Sequence, residues 1–296
     1  METNTLHTQE FAYLTVTGNY TVQQISDLLL PNKLGTYDAW DAGEIAFGEY
    51  QYEQTCLRYD SHKNSSEQLE EHISSLLGHA KKLKKLPDDL VRTLHCVICG
   101  YHSQASGCYL DSDTVRDLAK IKAEVHFYLH KMIAQGNHDF PYSKRILSQS
   151  SDEIDRDVNF TNEYAYFRVF SDTLHADEIS EILQLTPSES YSKGDFKRKG
   201  DDSANNKRDW TYWSLDSGVA KGQPLAIHLE ALLSKLKPHT EQLYVLSRDY
   251  QTSFGLGSTA KFPTSNEIKL SREIIIKMAE LNLSFDFDLY FHYDDE

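Results

Sequence analysis

The stretch that decides the fold is residues 281–291, Leu-Asn-Leu-Ser-Phe-Asp-Phe-Asp-Leu-Tyr-Phe. From Ser284 onward, polar and apolar residues alternate strictly. Because successive side chains of a strand point to opposite faces, this pattern predicts a strand with one buried face and one polar face. A second stretch at 124–130, Glu-Val-His-Phe-Tyr-Leu-His, alternates in the same way. The two stretches suggest that the chain uses one structural unit twice.

Further segments recur in the same order in the two halves of the chain. The matching segments are 12–16 with 165–169, 25–29 with 179–183, 40–44 with 191–195, and Leu69, His72, Leu76 and Leu77 with Leu225, His228, Leu232 and Leu233. Several matches in one order indicate an internal duplication. We therefore predict two tandem copies of one domain, at 10–131 and 163–292. Gly, Pro, Ser and acidic residues between them predict a linker or connecting arm at 132–162.

Each predicted copy combines helices with half-buried strands. In the first copy the strands are predicted at 11–16, 52–59, 92–101 and 124–130, and the helices at 22–30, 66–77 and 114–121. Asp111 and Ser271 stand where the N-cap of the last helix of each copy is expected. The fold class is therefore α+β, and in each copy we expect a mostly antiparallel or mixed sheet with helices packed on one face.

Composition limits the classes of function. The 296 residues are 40% hydrophobic and 25% charged, as in soluble globular proteins. The net charge of −15, from 45 acidic and 30 basic residues, argues against nucleic-acid binding and suits a basic protein partner. The chain has no signal-like N-terminus and no apolar run of the roughly 18 residues that a membrane span needs, so a cytoplasmic protein without membrane association is expected.

Two motifs that suggest cofactor chemistry have simpler interpretations. Cys96 and Cys99 have zinc-ligand spacing, but within a strand this spacing places the thiols on opposite faces, so we interpret them as buried core thiols. The Gly-Leu-Gly-Ser-Thr-Ala stretch at 255–260 loosely resembles a dinucleotide fingerprint, but Pro263 interrupts the helix that such a site requires. We predict no metal and no cofactor.

His72 and His228 occupy matching positions in the two copies and invite a catalytic interpretation. A catalytic base needs a partner that orients it or a substrate group on which it acts. Their neighbours differ between the copies, so a packed or capping role is favoured. No catalytic residue is predicted.

Two regions are candidates for ligand or partner binding. The first is the polar face of the last strand, with Asp286, Asp288 and Tyr290, whose counterparts are His126, Tyr128 and His130. These residues are interpreted as a solvated or partner-binding face, with metal binding or acid–base chemistry as the alternative.

The second region is a basic and aromatic loop between Tyr191 and Trp213. Its candidate residues are Lys193, Asp195, Lys197, Arg198, Lys199 and Trp213. Basic groups interleaved with aromatic rings can hold a phosphate, a single strand or an acidic peptide. The simpler alternative is a solvated loop, because several aspartates offset its charge.

The second copy resembles a bacterial family of domains of unknown function, family 4279. The residues that carry the resemblance are 165–169, 179–183, 191–195, 213–215, 228–233 and 285–290, and they span nearly all of 163–292. The first copy resembles a diverged member, with Ala42-Gly43-Glu44 in place of Lys193-Gly194-Asp195. The resemblance implies a fold and a bacterial cytosolic setting, with no catalytic residues.

The sequence lacks a phosphate-binding loop, a nucleophile elbow and a paired-histidine metal motif. The leading hypothesis is therefore a non-enzymatic cytosolic bacterial binding protein, of the immunity or antitoxin type, that neutralises a basic partner toxin. Two alternatives stay open. One is a small-ligand or phosphate-binding sensor or enzyme that uses the loop of the second copy, and the other is a structural protein that self-associates through strand edges. The oligomeric state is left open.

Overall fold

The computed structural model describes residues 9–29, 37–42, 54–61, 68–100, 106–131, 163–197, 206–261 and 266–292. The predicted linker at 132–162 lies outside these residues. The predicted boundaries of the two domains remain a prediction.

The described part of the first half alternates strands and helices. Its elements are β1 (Gln9–Gly18), α1 (Val22–Leu29), β2 (Tyr37–Trp40), β3 (Thr55–Asp60), α2 (Leu69–Ala80), β4 (Val91–Gly100), β5 (Ser106–Leu110), α3 (Ser112–Lys120) and β6 (Ala123–Lys131). A 3-10 turn, Leu83–Lys85, follows α2.

The second half follows the same order with one added helix, α6. Its elements are β7 (Tyr164–Ser171), α4 (Ala176–Leu183), β8 (Glu189–Tyr191), β9 (Thr211–Asp216), α5 (Leu225–Leu236), α6 (Thr240–Asp249), β10 (Gln251–Lys261), β11 (Asn266–Leu270), α7 (Arg272–Glu280) and β12 (Ser284–His292). The predicted α+β class is confirmed.

The strands form two six-stranded sheets with matching strand orders. The first sheet has the order β11-β6-β4-β1-β3-β2, and the second has the order β5-β12-β10-β7-β9-β8. In each sheet one neighbouring pair is parallel, β4 with β6 and β10 with β12, and the other pairs are antiparallel. Both sheets are therefore mixed, as predicted.

Each sheet takes one edge strand from the other half of the chain. β5, from the first half, pairs with β12, and β11, from the second half, pairs with β6. Each exchanged strand runs antiparallel to its partner over five residue pairs. The ranges 10–131 and 163–292 thus do not form separate sheets, because every sheet contains residues of both.

By sequence order, the apolar run at 243–246 is the expected counterpart in the second half of the cysteine-bearing strand β4, but it lies in helix α6. The strand that occupies this place in the second sheet is β10, beside β7 and β12. A short apolar run has no clear periodicity and cannot by itself distinguish a strand from a buried helix.

The last helix of each half begins at the predicted cap. The Asp111 carboxylate accepts from the Thr114 N–H at 2.7 Å, and the Ser271 hydroxyl accepts from the Ile274 N–H at 3.3 Å. Both helices end in the same way, since the second residue after each of them, Lys122 and Asn282, has a φ of 54°. These local signals determine where the helices stop and the alternating strands begin.

The apolar faces of both sheets meet in one core. Phe127 of β6 packs against Phe287 of β12 with ring centroids 4.8 Å apart, and against Phe285 at 6.2 Å. All three rings are fully buried. Helices α3 and α7 also pack on each other, so the two halves share one hydrophobic core.

Two buried polar contacts occur at the same place in each half. The Glu10 carboxylate accepts from the Leu69 N–H, and the Glu163 carboxylate accepts from the Leu225 N–H, both at 2.6 Å. In each half a carboxylate thus binds an N–H group at the start of a helix, α2 or α5, that has no partner within the helix. The second contact joins a serine on the loop before each helix to a histidine within it.

The two histidines accordingly have a structural role. His72 Nδ1 lies 2.6 Å from the Ser61 hydroxyl, and His228 Nδ1 lies 2.7 Å from the Ser217 hydroxyl. Both histidines are buried at the helix–sheet contact. The favoured interpretation, a packed role in the fold, agrees with this burial.

Candidate binding face of the second sheet

The alternation in β7 places Tyr164, Tyr166, Arg168 and Phe170 on the side of the second sheet opposite the core. Neighbouring strands add aromatic and polar side chains to this side. We call it the tyrosine face; its aromatic members are Tyr109 of β5, Tyr164, Tyr166 and Phe170 of β7, Tyr191 of β8 and Tyr212 of β9. Most of these rings are partly exposed, so both halves contribute rings that a partner can reach.

Two tyrosine rings lie flat across β10 because that strand carries glycines opposite them. Gly255 pairs with Tyr166 and Gly257 with Tyr164. A Cβ atom on either glycine would lie 2.2 Å from Cζ of Tyr166 or 2.1 Å from Cζ of Tyr164. The Gly-x-Gly spacing therefore makes room for aromatic rings, and the motif lies within strand β10.

Arg168 connects three strands, β7, β10 and β12, in the middle of the tyrosine face. Its Nε donates to the Ser253 hydroxyl at 2.9 Å, its Nη2 donates to the Asp286 carboxylate, and its Nη1 donates to the Tyr166 hydroxyl at 3.4 Å. The guanidinium carbon also lies 5.2 Å from the centroid of Phe170. No local pattern selects Arg168, because its partners Ser253 and Asp286 lie 85 and 118 positions away in the chain.

The structure brings two of the predicted acidic residues onto this face. Asp286 binds Arg168, whereas the Asp288 carboxylate accepts no hydrogen bond from the part of the chain that the structure describes. Burial raises the pKa of Asp288, and the neighbouring Asp286 charge raises it further. Tyr290 pairs through its backbone with Thr259, and its side chain lies outside the described residues.

The described parts of the predicted basic loop, 192–197 and 206–210, pair with each other next to β8 and β9, and we call them the hairpin. The Gly194 N–H donates to the Arg208 carbonyl at 2.9 Å, and the Arg208 N–H donates to the Asp195 carbonyl at 2.8 Å. Phe196 and Lys207 form a bridge farther along the hairpin. The Arg208 guanidinium lies 4.0 Å from the centroid of Tyr191, at the border of the tyrosine face.

The described candidate residues of this hairpin already have partners. Lys193 Nζ donates to the Asp172 carbonyl at 3.1 Å, Lys197 Nζ pairs with Asp209 at 3.3 Å, and the Asp195 carboxylate accepts from the Ser192 N–H at 2.6 Å. Arg198 and Lys199, the remaining basic candidates, lie outside the described residues.

Trp213 is not available to a ligand. Its side chain is 0% exposed, its ring packs against Phe167, and its Nε1 donates to the Ser180 hydroxyl at 2.9 Å. The sequence interpretation placed Trp213 at a binding site because it follows the basic loop. In β9 the alternation turns Trp213 inward and the adjacent Tyr212 outward, so Tyr212 is the aromatic residue that faces solvent.

A pocket of about 590 Å³ opens at one end of the tyrosine face. Its lining includes Arg168 and Phe170 of β7, together with Asp172, Trp210, Asp249 and Tyr250. Trp210, at the base of the hairpin, is 50% exposed. The pocket had no sequence signal, because it joins the end of β7, the residue before β9 and the start of β10.

The matching face of the first sheet is different. His95 Nδ1 lies 3.1 Å from the Tyr128 hydroxyl, and His95 Nε2 lies 2.8 Å from the Thr15 hydroxyl. Tyr13 stacks on His95 with centroids 4.5 Å apart and is almost fully buried. Burial, and then the His126 charge, hold the pKa of His95 well below its usual value. This face is a packed polar network, and the side chain of His130 lies outside the described residues.

His126 joins this network to the exchanged strand β11. Its Nδ1 lies 3.0 Å from a Glu267 oxygen, its Nε2 lies 3.3 Å from Glu124, and Lys269 pairs with Glu267 at 3.0 Å. Burial lowers the pKa of His126, but the hydrogen bonds to Glu124 and Glu267 outweigh it and raise the pKa overall. Burial raises the pKa of Glu267, but His126 and Lys269 lower it to about 2.

The two pKa shifts predict a pH window for this contact. The His126 contribution to stability is complete below about pH 6.5 and is lost as pH rises through the raised pKa. The Glu267 contribution is complete above about pH 4.5 and is lost as pH falls towards 2. Glu267→Gln is therefore expected to lower the free energy of unfolding by about 1.5–3 kcal/mol at pH 5.5 and by less at pH 8.5.

Urea unfolding at the two pH values measures this difference. Glu280→Gln, a substitution at an exposed position of α7, is the control and should change stability little at either pH. If Glu267→Gln lowers the free energy of unfolding equally at pH 5.5 and pH 8.5, the charged His126–Glu267 contact does not stabilise the pairing of β11 with β6.

All four cysteines lie within the described residues. All four cysteines are free and buried, and burial raises the pKa of Cys99 to about 12. Cys96 and Cys99 are core thiols, as interpreted. Within the described ranges, no group of three or more His, Cys, Asp or Glu side chains is arranged to hold a metal ion. In the same ranges, none of the helices has the length and apolar character needed to cross a membrane.

Comparison with known proteins locates one family in this chain. No curated protein matches it. One family model matches residues 161–292, and its description is "Domain of unknown function (DUF4279)". The match covers β7 to β12, including most of the tyrosine face. The match supports the resemblance to this family that residues 163–292 indicated.

Proposed function

We propose that this chain is a non-enzymatic binding protein of the immunity or antitoxin type, which acts in the bacterial cytoplasm. It neutralises a basic toxin by covering part of the toxin surface with its tyrosine face. The observation that carries the proposal is the composition of that face, which combines half-exposed aromatic rings with an excess of carboxylates.

The aromatic rings suit a protein partner. Tyrosine and tryptophan supply large contact areas at little conformational cost and are enriched among the residues that dominate binding energy. Tyr212 lies between Tyr191 and Phe170, with 5.3 Å between its ring centroid and each of theirs. The three rings form a continuous aromatic strip across β8, β9 and β7.

The charges suit a basic partner. The acidic side chains described on the strands of this face are Glu189, Asp216, Asp286 and Asp288, against the single basic residue Arg168, which Asp286 neutralises. The whole chain carries a net charge of −15. Opposite charges steer association and exclude wrong partners, so the face favours a positively charged surface.

Neutralisation of a neighbouring toxin tests the proposal. We expect that co-expression of this chain with a basic toxin encoded beside its gene restores growth, and that the purified proteins form a complex. The complex should weaken as salt rises, because charge contributes to its formation. If no neighbouring toxin is bound or neutralised, the immunity role is wrong.

A second candidate function is small-ligand sensing, and the pocket beside Trp210 is the observation that favours it. Its volume of about 590 Å³ lies within the usual range of roughly 300–1,000 Å³ for ligand sites. A phosphate-binding role for the hairpin has less support, because Lys193 and Lys197 already have partners. Under our proposal, the double variant Lys193→Ala, Lys197→Ala leaves toxin neutralisation intact. Loss of neutralisation in this variant would favour a binding role for the hairpin.

We also propose that the first half is a diverged copy of the same domain. The matching order of elements, the matching strand orders and the two pairs of buried contacts at Glu10 and Glu163 support this. The polar faces have diverged, since the positions of Gly255 and Gly257 correspond to His95 and Val97 in the first sheet. In this proposal the first half does not share the binding face of the second.

A further inference from the structure

We propose that the pocket at the end of the tyrosine face receives one cationic side chain, arginine or lysine, of the partner protein. The inference rests on the proposed function and adds the site that holds one side chain of the partner. We call this site the anchor pocket. Three elements form the pocket: the end of β7, the base of the hairpin before β9, and the turn from α6 into β10.

Aromatic rings make the walls of this pocket suitable for a cation. Phe170, Trp210 and Tyr250 line it, and half of the Trp210 surface is exposed. The faces of aromatic rings attract guanidinium and ammonium groups, with tryptophan the strongest. The Phe170 ring already lies close to one guanidinium, that of Arg168, which shows that this ring can contact a cation.

The charges around the pocket decide between a cation and an anion. Arg168, which lines the pocket, and its neighbours Arg248 and Lys193 are all engaged. Arg168 binds Asp286, Arg248 makes a two-point contact with Asp249, and the Lys193 ammonium donates to the Asp172 carbonyl.

The pocket also has an acidic group that is not engaged. The Asp172 carboxylate has no side-chain partner among the residues that the structure describes, and the residue is exposed at the pocket wall. The available charge is therefore negative, and a phosphate or carboxylate ligand would meet no unpaired basic side chain among the described residues that line the pocket. An arginine or lysine side chain can stack on Trp210 and pair with Asp172.

The test uses the full chain and three small probes. The indole N–H signal of Trp210, assigned with Trp210→Phe, is followed by NMR during titration with Gly-Arg-Gly, with the neutral analogue Gly-citrulline-Gly, and with spermidine. We expect a saturable shift with the arginine peptide and a much smaller shift with the citrulline peptide.

Substitutions locate the charge that the probe recognises. Asp172→Asn is expected to weaken binding of the arginine peptide by about fivefold, since one exposed ion pair is lost. Asp177→Asn, an exposed aspartate at the start of α4, is the matched control and should leave binding unchanged. Equal shifts with the arginine and citrulline peptides, or no effect of Asp172→Asn, would overturn the proposal. Tighter binding of spermidine than of the arginine peptide would also overturn it in favour of a free polyamine.

The two proposals can fail separately. If a neighbouring toxin binds the wild-type chain and the double variant Trp210→Ala, Asp172→Asn equally, the anchor pocket is wrong but the binding function stands. If the arginine peptide shifts Trp210 as expected while every neighbouring toxin fails to bind, the pocket stands and the immunity role is wrong.

Discussion

Phe287→Ala is expected to destabilise both halves of the chain together, by about 3–5 kcal/mol. The Phe287 ring is fully buried and lies 4.8 Å from Phe127, which belongs to the first half. Removing the ring leaves a cavity where the two halves meet, and the exchanged strands β5 and β11 transmit the loss to both sheets. A single cooperative unfolding transition is therefore expected for the wild type and the variant.

Hydrogen exchange measures this effect in each sheet separately. Slowly exchanging amides of β4, in the first sheet, and of β10, in the second, should lose the same free energy of opening in Phe287→Ala. Phe196→Ala is the control, because that ring is 51% exposed on the hairpin and should change exchange little. A loss confined to β10 would show that the halves unfold independently, contrary to a shared core.

Tyr212→Ala is expected to weaken binding of the partner toxin by about 30-fold or more, the effect of removing a dominant interface residue. Tyr212 is the middle ring of the aromatic strip and projects away from the core, whereas its neighbour Trp213 is buried. The substitution should therefore reduce affinity with little change in melting temperature.

Tyr244→Ala is the matched control for this experiment. Tyr244 is 59% exposed but lies on α6, the helix whose Leu243 and Leu246 pack into the core. It therefore lies in the helix layer, on the opposite side of the sheet from the tyrosine face. Calorimetric titration of the toxin compares the two variants. Unchanged affinity for Tyr212→Ala, or an equal loss for Tyr244→Ala, would place the interface elsewhere.

Local patterns explain which parts of the fold were predictable. The alternation at 124–130 and 284–291 and the caps Asp111 and Ser271 are signals carried by neighbouring residues, and each appears in the structure. The exchange of β5 and β11 was not predictable, because a five-residue strand pairs with whatever edge the tertiary fold offers. The pattern of polar and apolar residues within a strand does not show that the strand pairs with the other half of the chain.

The candidate site was predictable only in part, for a similar reason. Asp286 and Asp288 follow from the alternation of β12. Trp213 was misassigned because the inward or outward direction of a strand residue depends on its register, which the adjacent basic loop obscured. β10 was not among the predicted strands, because glycines are uncommon in strands, although here they are needed beneath Tyr164 and Tyr166.

Hydroxyl-radical footprinting of the chain, alone and in complex with its toxin, tests the central claim most directly. The account predicts that Tyr191, Trp210 and Tyr212 become protected from oxidation in the complex, while Tyr244 on α6 stays as reactive as in the free chain. Protection of Tyr244 with no change at Trp210 and Tyr212 would contradict the account, because the partner would then cover the helices and leave the tyrosine face open.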